Sequence, residues 1–146
     1  MLLVLILAGL FPWAYANHAA GVDASLIEAN KPINHALNLT WRVIFCALAT
    51  LAVWRVAGWL VAGAYFLYFA GVFAWVFTSH LNRARFVPTW YISTQEKAAL
   101  SDRLLVKIAK ELQTPVGILA QTVYTAFLWF GIAAFFAAIV YNFYRY

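Results

Sequence analysis

The sequence predicts an all-α integral membrane protein with four transmembrane helices and one amphipathic helix at the membrane surface. The first observation is composition: of 146 residues, 66% are hydrophobic and 10% are charged, whereas a soluble domain carries about a quarter charged residues. The second is the almost wholly apolar stretch 43–79, which would be about 55 Å long as one helix. Because a bilayer core is about 30 Å thick, this stretch predicts two crossings.

The two crossings in this stretch are predicted over about 39–54 and 57–80, joined by a tight hairpin turn around Arg55. Trp54, Gly58 and Trp59 suit a turn at the lipid–water interface, because Trp rings favour that depth and an Arg side chain can extend from it into water. The alternative is that Arg55 lies inside the bilayer and pairs with a partner, which would mark a functional site.

Residues 1–16 are predicted to form the first span. They end in Ala14-Tyr15-Ala16, which resembles a signal-peptidase site, but no Lys or Arg precedes the apolar run. A retained span is therefore expected, with a signal peptide as the alternative. A polar connection is expected over 17–38, and the last span, about 115–142, opens at Pro115, since Pro suits the first turn of a helix. The whole chain is predicted to be a single membrane domain.

Small residues four apart let membrane helices approach closely. Three such alanine pairs occur in the predicted spans: Ala70/Ala74, Ala133/Ala137 and Ala134/Ala138. They are the expected sites of close helix packing.

A cytoplasmic amphipathic helix is predicted over about 94–113. Ser93 and Glu96 form a capping-box pattern at its start. Five residues make an apolar stripe at helical spacing: Leu100, Leu104, Leu105, Ile108 and Leu112. Three basic residues fall on a different face: Arg103, Lys107 and Lys110. This pattern predicts a helix that lies along the membrane or docks its stripe on a partner subunit, and Trp90 and Tyr91 resemble an interfacial anchor.

The distribution of positive charge predicts the orientation of the chain. The formal net charge is +5, and six of the ten Lys and Arg residues lie between Arg83 and Lys110, next to predicted spans. This is the usual pattern of orientation and anionic-lipid contact. It does not indicate nucleic-acid binding, since no motif of a nucleic-acid-binding fold accompanies it. The 83–110 region and the first connection are therefore expected in the cytoplasm, with both chain ends and Arg55 on the opposite side.

The sequence contains no motif that predicts catalysis. It has no Gly-rich phosphate loop, nucleophile elbow or His-Glu-x-x-His pattern, and Cys46 is the lone cysteine. Because the predicted spans contain no acidic residue, neither a proton-coupled transporter nor an independent enzyme is expected. His18 and His35 share the first connection with Asp23 and Glu28 and could form a metal site, but their spacing matches no compact ligand motif. His80 could be an axial ligand of a haem or pigment, but no second histidine pairs with it across a span. We predict no catalytic, cofactor-binding or metal-binding residue, and we expect bound lipids.

Three short segments resemble a known family: Asn82-Arg83-Ala84-Arg85-Phe86, then Ser93-Thr94-Gln95-Glu96-Lys97-Ala98, then Glu111-Leu112-Gln113. They are similar to the region after the second span in the small membrane subunit of bacterial poly-N-acetylglucosamine synthase. That family pairs a two-span protein with a processive glycosyltransferase in a system regulated by cyclic di-GMP. The resemblance implies that Arg83 and Arg85 lie at the synthase interface or nucleotide site. This chain differs in having an extra leading span and a last span where the family has a soluble tail.

The expected function is that of a non-catalytic small subunit of a multi-protein complex in the bacterial inner membrane, contributing helix packing, assembly and stability. One alternative is a regulatory subunit of a membrane glycosyltransferase, an exopolysaccharide synthase. Another is an accessory subunit of an electron-transfer, pigment or secretion complex. The expected partners are other membrane-protein subunits and anionic lipids. The residues expected to contact them are Arg83, Arg85, Arg103, Lys107, Lys110, Trp90, Tyr91 and Arg55.

Overall fold

The computed structural model describes residues 2–31, 33–93 and 100–145, with side chains for all of these except Leu2, His35, Ala36 and Leu100. The described residues form four helices: α1 (Leu2–Glu28), α2 (His35–Ala84), α3 (Leu100–Glu111) and α4 (Val116–Arg145). Within this part of the chain, α1, α2 and α4 are long and apolar enough to cross a membrane. The fold is therefore that of a helical membrane protein.

Helix α2 reverses direction at Gly58. This residue has φ 82° and ψ 173°, a conformation that glycine adopts readily because it lacks a Cβ atom. The Arg42 guanidinium carbon lies 4.1 Å from the centre of the Phe77 ring, although an unbroken helix would separate them by about 50 Å. Helix α2 is thus a hairpin with a first arm, residues 35–57, and a second arm, residues 59–84. Its reversal lies within the predicted turn, and Arg55 is exposed beside it.

The molecule has two ends. The hairpin end contains Gly58 and the last residues of α4, since Tyr141 and Asn142 border the same cavity as Gly58. The opposite end, which we call the basic end, contains the end of α2, the connection 85–93 and the whole of α3. Helix α1 runs from the hairpin end towards the basic end, and α4 returns to the hairpin end.

The second arm of α2 lies at the centre of the bundle, between α1 and α4. Among the described residues, α1 and α4 each pack on α2 and not on each other. Tyr68 stacks on Phe135 of α4 with ring centres 5.1 Å apart, and Phe69 contacts Phe11 of α1 with ring centres 6.0 Å apart. Burial of these aromatic side chains joins the three helices into one core.

Two glycines set the closest approach of α2 and α4. A Cβ atom added at Gly131 would lie 2.8 Å from the carbonyl oxygen of Leu67, and one added at Gly71 would lie 2.8 Å from that of Phe127. The backbones therefore touch without intervening side chains, as small-residue packing allows. Of the alanine pairs predicted for this role, Ala138 is buried, but Ala133 and Ala137 are exposed. Glycines, rather than those alanine pairs, make the closest contact.

Helix α1 is longer than predicted. The expected span ended at residue 16, whereas the helix continues to Glu28, and the connection to α2 is confined to residues 29–34. Asn17, placed by prediction in a polar loop, is helical and donates its side-chain amide to the Trp13 carbonyl oxygen at 3.0 Å. The prediction of a connection over 17–38 was wrong because polar side chains on this helix find partners within the molecule.

Pro12 lies inside α1 and is accommodated by a neighbouring helix. A proline leaves carbonyl groups of the preceding turn without helical donors. The Tyr68 hydroxyl donates to the Gly9 carbonyl oxygen at 2.5 Å and accepts from Trp13 Nε1 at 2.9 Å. A tyrosine of α2 thus donates to the carbonyl next to that of Ala8, the acceptor whose helical donor Pro12 removes, and contacts of this kind with neighbouring helices let membrane helices tolerate proline.

Helices α1, α2 and α3 end in the same backbone motif. In each, a residue with positive φ donates its N–H to the carbonyl three residues back, and the next residue donates to the carbonyl five residues back. This is the Schellman motif, whose positive-φ position usually holds glycine. The positions are held by Asn30 (φ 51°), Phe86 (φ 56°) and Gln113 (φ 52°). Phenylalanine is the bulkiest of the three and the least suited to this conformation.

Helix α3 divides the predicted apolar stripe between two faces. Leu105 and Ala109 are buried, whereas Leu104, Ile108 and Leu112 are exposed. The predicted single stripe is therefore divided between an inward face, packed near Ile92 and α4, and an exposed apolar ridge. The predicted start of this helix near residue 94, including Glu96 of the capping box, lies outside the described residues. Helix α4 begins one residue after the predicted Pro115 and extends three beyond residue 142.

Candidate functional site

A buried ion pair joins α1 to the first arm of α2. Asp23 is 4% exposed, and its Oδ2 atom lies 2.8 Å from Nη2 of Arg42. Asn38, one helical turn before Arg42, donates to Oδ1 of the same carboxylate at 2.8 Å. Both carboxylate oxygens are therefore hydrogen-bonded, which offsets the free-energy penalty of removing the charge from water.

The Arg42 guanidinium also contacts the second arm of α2. Its central carbon lies 4.1 Å from the centre of the Phe77 ring and 5.4 Å from that of Phe73. Such distances allow a cation–π interaction, which strengthens when the cation is partly removed from water. Arg42 thus links α1 and both arms of α2 at one level of the bundle.

A cavity of about 570 Å³ lies next to this ion pair at the basic end. Its apolar wall includes Phe73 and Phe77. Its polar wall brings together residues from all four helices and from the connection 85–93: Asp23, Arg42, Asn82, Arg85, Tyr91, Asp102 and Tyr124. The cavity therefore combines charged side chains of both signs with an apolar wall. An arrangement of this kind suits the polar head of an amphiphile or a polar side chain of a partner protein.

Asp102, at the start of α3, faces this cavity in a partly buried position. Burial raises the pKa of this carboxyl above its usual value, while the N–H of Ser93, the Ser101 hydroxyl and the charge of Arg85 act in the opposite direction. The N–H of Ser93 lies 3.4 Å from Oδ2 of Asp102. Compared with the unfolded chain, the folded protein therefore favours the protonated form of the Asp102 carboxyl.

We expect the contribution of Asp102 to stability to be greatest at low pH. Because its pKa is raised in the folded state, this contribution is complete below the ordinary value of 3.8 and is lost as the pH rises through the folded-state pKa. Asp102→Asn should remove this pH dependence and raise stability at pH 7 by less than about 1 kcal/mol. Thermal unfolding between pH 4 and pH 7 would measure the change. Glu111→Gln, at an exposed acid of the same helix, is the control, and equal pH profiles for Asp102→Asn and the unmodified chain would contradict the assignment.

Asn82 holds the connection between α2 and α3 in place. Its side chain is buried, and its amide nitrogen donates to the carbonyl oxygens of Thr89 at 2.9 Å and Tyr91 at 3.0 Å. These bonds fold residues 85–93 back against the end of α2. Trp90 then packs between Trp75 and Tyr124, with ring centres 5.8 Å and 6.2 Å away.

Residues 83–86, which we call the arginine corner, project from the end of α2. Arg83 and Arg85 are exposed, and Phe86 is 95% exposed. The Schellman motif causes this exposure, because its positive φ turns the Phe86 side chain away from the helix that it ends. The two arginines border different cavities. Arg85 borders the cavity beside Asp102 described above, whereas Arg83 borders a second cavity that Trp13 and His80 also line.

The other predicted contact residues lie at both ends of the molecule. Arg103, Lys107 and Lys110 are exposed on α3, and Tyr91 is exposed at the rim of the polar cavity. Arg55 is exposed at the hairpin end, far from the basic residues of α3. The structure therefore brings five of the predicted basic residues to the basic end and separates Arg55 from them.

The histidines occupy separate environments. His80 Nδ1 donates to the side-chain oxygen of Asn17 at 2.8 Å, the tautomer that an amide oxygen requires. His18 is exposed, and the side chain of His35 lies outside the described residues. Within residues 2–31, 33–93 and 100–145, no three His, Cys, Asp or Glu side chains form a group suited to a metal ion.

The sequence analysis did not anticipate the pairing of Asp23 with Arg42. Asp23 was assigned to the polar connection after the first span, whereas in the structure it lies within α1. Arg42 fell within the predicted span 39–54 but was not singled out. A signal was present: Asn38 and Arg42 are four residues apart at the start of an apolar helix, so both can reach one carboxylate.

No protein-family model matches the chain, and neither a curated protein nor a solved structure is detectably similar to it. The likeness to the synthase subunit therefore rests on the short segments given above, of which Asn82–Phe86 and Glu111–Gln113 lie in the described part of the structure.

Proposed function

We propose that this protein is a non-catalytic small subunit of a larger complex in the bacterial inner membrane, where it contributes helix packing and assembly. The observation that carries the proposal is the arginine corner. An aromatic side chain that is 95% exposed stands in an unfavourable backbone conformation directly after two exposed arginines, Arg83 and Arg85. Exposed aromatic and arginine side chains are the types most enriched at the centres of protein interfaces.

The proposed topology has four crossings. Helices α1 and α4 each contribute one, and the two arms of α2 contribute one each, with Gly58 at the far surface. Lys31 and the exposed basic residues of the arginine corner and α3 gather at the basic end, whereas Arg55 and Arg145 lie at the hairpin end. This distribution supports a cytoplasmic basic end by the positive-inside rule. It also supports contact between the exposed ridge of α3 and anionic lipid.

In this proposal Phe86 contacts the partner subunit. That role can be tested separately from the effect of Phe86 on the stability of the isolated protein. Because a positive φ costs a side-chain-bearing residue about 1–2 kcal/mol, Phe86→Gly should make the isolated protein more stable while removing the docking side chain. Gln113→Gly changes the same motif position on α3 and is the matched control.

The test is purification from native membranes in mild detergent, followed by native mass spectrometry. We expect a stoichiometric partner with the unmodified chain and with Gln113→Gly, and its loss with Phe86→Gly. Retention of the partner by Phe86→Gly would contradict docking at the corner. A monodisperse monomer with activity of its own would contradict the subunit proposal.

A second candidate function is regulation of an exopolysaccharide synthase. It is favoured by the exposure of Arg83 and Arg85, the two positions that the resemblance places at the synthase interface or nucleotide site. The charge-reversed pair Arg83→Glu/Arg85→Glu should abolish stimulation of polymer synthesis by cyclic di-GMP. The pair Arg55→Glu/Arg145→Glu, at the hairpin end, should leave it intact, and equal stimulation of both variants would exclude this role.

A further inference from the structure

An apolar groove of about 510 Å³ runs between α1 and the first arm of α2, towards the hairpin end. Its apolar lining includes Leu7, Leu10 and Phe11 of α1 and Leu48 and Ala52 of the first arm, and Tyr65 of the second arm also borders it. Leu7, Leu10 and Leu48 are exposed, so the groove opens on the side where a membrane would supply hydrocarbon. No charged residue is among these lining residues.

Tyr65 is the polar residue that borders this groove. It is 0% exposed, yet its hydroxyl has no hydrogen-bond partner among the residues that the structure describes. An unpaired hydroxyl in an apolar interior carries a substantial free-energy penalty, so nearly all such groups are paired. Tyr68, close by on the same helix, illustrates the contrast, because its hydroxyl both donates and accepts.

The depth of Tyr65 is also informative. It follows Gly58 by about two helical turns, which is about 10 Å along the helix axis. Trp54 and Trp59 are exposed beside Gly58, and such residues favour the headgroup level of a bilayer. Tyr65 therefore lies between that level and the membrane midplane.

We propose that this groove is a binding site for one acyl chain of a bilayer glycerolipid, and that the Tyr65 hydroxyl donates to the ester carbonyl of that chain. The apolar lining accepts the chain, and the carbonyl supplies the acceptor that Tyr65 lacks. The headgroup stays outside, because the groove offers it no charged partner. This site is independent of the proposed docking at the arginine corner, which lies at the other end of the molecule.

The sharpest test compares two lipids that differ only in the carbonyl. The protein is purified in detergent and incubated with phosphatidylglycerol carrying either ester-linked or ether-linked chains of the same length. Native mass spectrometry then measures the lipid retained. We expect about fivefold stronger retention of the ester lipid, the ratio that one hydrogen bond provides. Equal retention of the two lipids would overturn the proposal.

Two variants locate the site. Tyr65→Phe keeps the ring but removes the donor, so the preference for the ester lipid should disappear while thermal stability stays close to that of the unmodified chain. Ala52→Phe should block the groove and reduce retention of both lipids, whereas Ala133→Phe, at an exposed alanine of α4, should not. An unchanged ester preference in Tyr65→Phe would overturn the proposal. Displacement of the ester lipid by an equimolar prenylated quinone would overturn its assignment to a glycerolipid.

Discussion

Gly131→Ala is expected to destabilise the protein by about 2–3 kcal/mol, because the added methyl group would overlap the backbone of α2. Its Cβ atom would lie 2.8 Å from both the Leu67 carbonyl oxygen and the Tyr68 Cα atom. Neither atom can move aside in the way that the end of a flexible side chain can. The two helices must separate, and the packing of Phe135 against Tyr68 would loosen with them.

Gly71→Ala tests the reciprocal contact. Its Cβ atom would meet the Phe127 carbonyl oxygen at 2.8 Å, so a loss of similar size is expected. Because both substitutions push the same two helices apart, the double variant should lose less than the sum of the single losses. Fully additive losses would show that the two contacts are independent.

The controls are Gly63→Ala and Gly9→Ala, since no atom beyond the chain neighbours and the nearby backbone of the same helix lies within 4 Å of a Cβ added at either position. Alanine favours a helix over glycine by up to about 1 kcal/mol, so both variants should be as stable as the unmodified chain or slightly more so. Unfolding in detergent, followed by Trp fluorescence, provides the measurement. If Gly131→Ala behaved like Gly63→Ala, the close approach of α2 and α4 would be wrong.

Asp23→Asn and Arg42→Met should each cost about 3 kcal/mol, because each leaves the other partner buried without its counter-charge. The larger loss is expected for Arg42→Met. This substitution leaves the Asp23 carboxylate, whose side chain is 6% exposed, buried without a counter-charge. The Arg42 side chain is 22% exposed, so in Asp23→Asn its guanidinium can still be partly hydrated. Loss of Arg42 also removes the cation–π contact with Phe77.

The double variant Asp23→Asn/Arg42→Met distinguishes a paired interaction from two separate contributions. A paired interaction predicts that the second substitution costs much less in the background of the first, because no unpaired charge remains. Glu28→Gln, at an exposed acid near the end of α1, should change stability by less than about 0.5 kcal/mol. Unfolding free energies in detergent measure all four variants, and losses that simply add would contradict the pairing.

The hairpin was predictable from the sequence because length and composition constrain it strongly. A run as long as 43–79 cannot remain in a bilayer core as one helix, and Arg55, Gly58 and the flanking tryptophans mark where it can leave. The helix bounds were less predictable. Polarity placed the end of the first span at residue 16, but Asn17 and Asp23 are accommodated in the helix by bonds to Trp13, His80, Asn38 and Arg42.

The candidate site was predictable only in part. The basic residues of the arginine corner and α3 were visible as a concentration of charge. The ion pair was not, because nothing local in the sequence shows that Asp23 and Arg42 meet. The inward face of α3 also depended on its neighbours: Leu104 and Leu105 are equally apolar, but contact with Ile92 and α4 buries Leu105 and leaves Leu104 exposed.

The sequence by itself determined that this is a helical membrane protein with a turn close to Arg55, because its long apolar runs can satisfy their backbone hydrogen bonds in hydrocarbon as helices and one such run is too long for a single crossing. Tertiary structure decided which residues are buried together. It selected Gly71 and Gly131 over the alanine pairs, paired Asp23 with Arg42, left Phe86 exposed, and left the Tyr65 hydroxyl without a partner among the described residues. The physical reason is that apolarity is a property of each segment, whereas close contact and neutralisation of charge belong to pairs of segments and appear only when the helices pack.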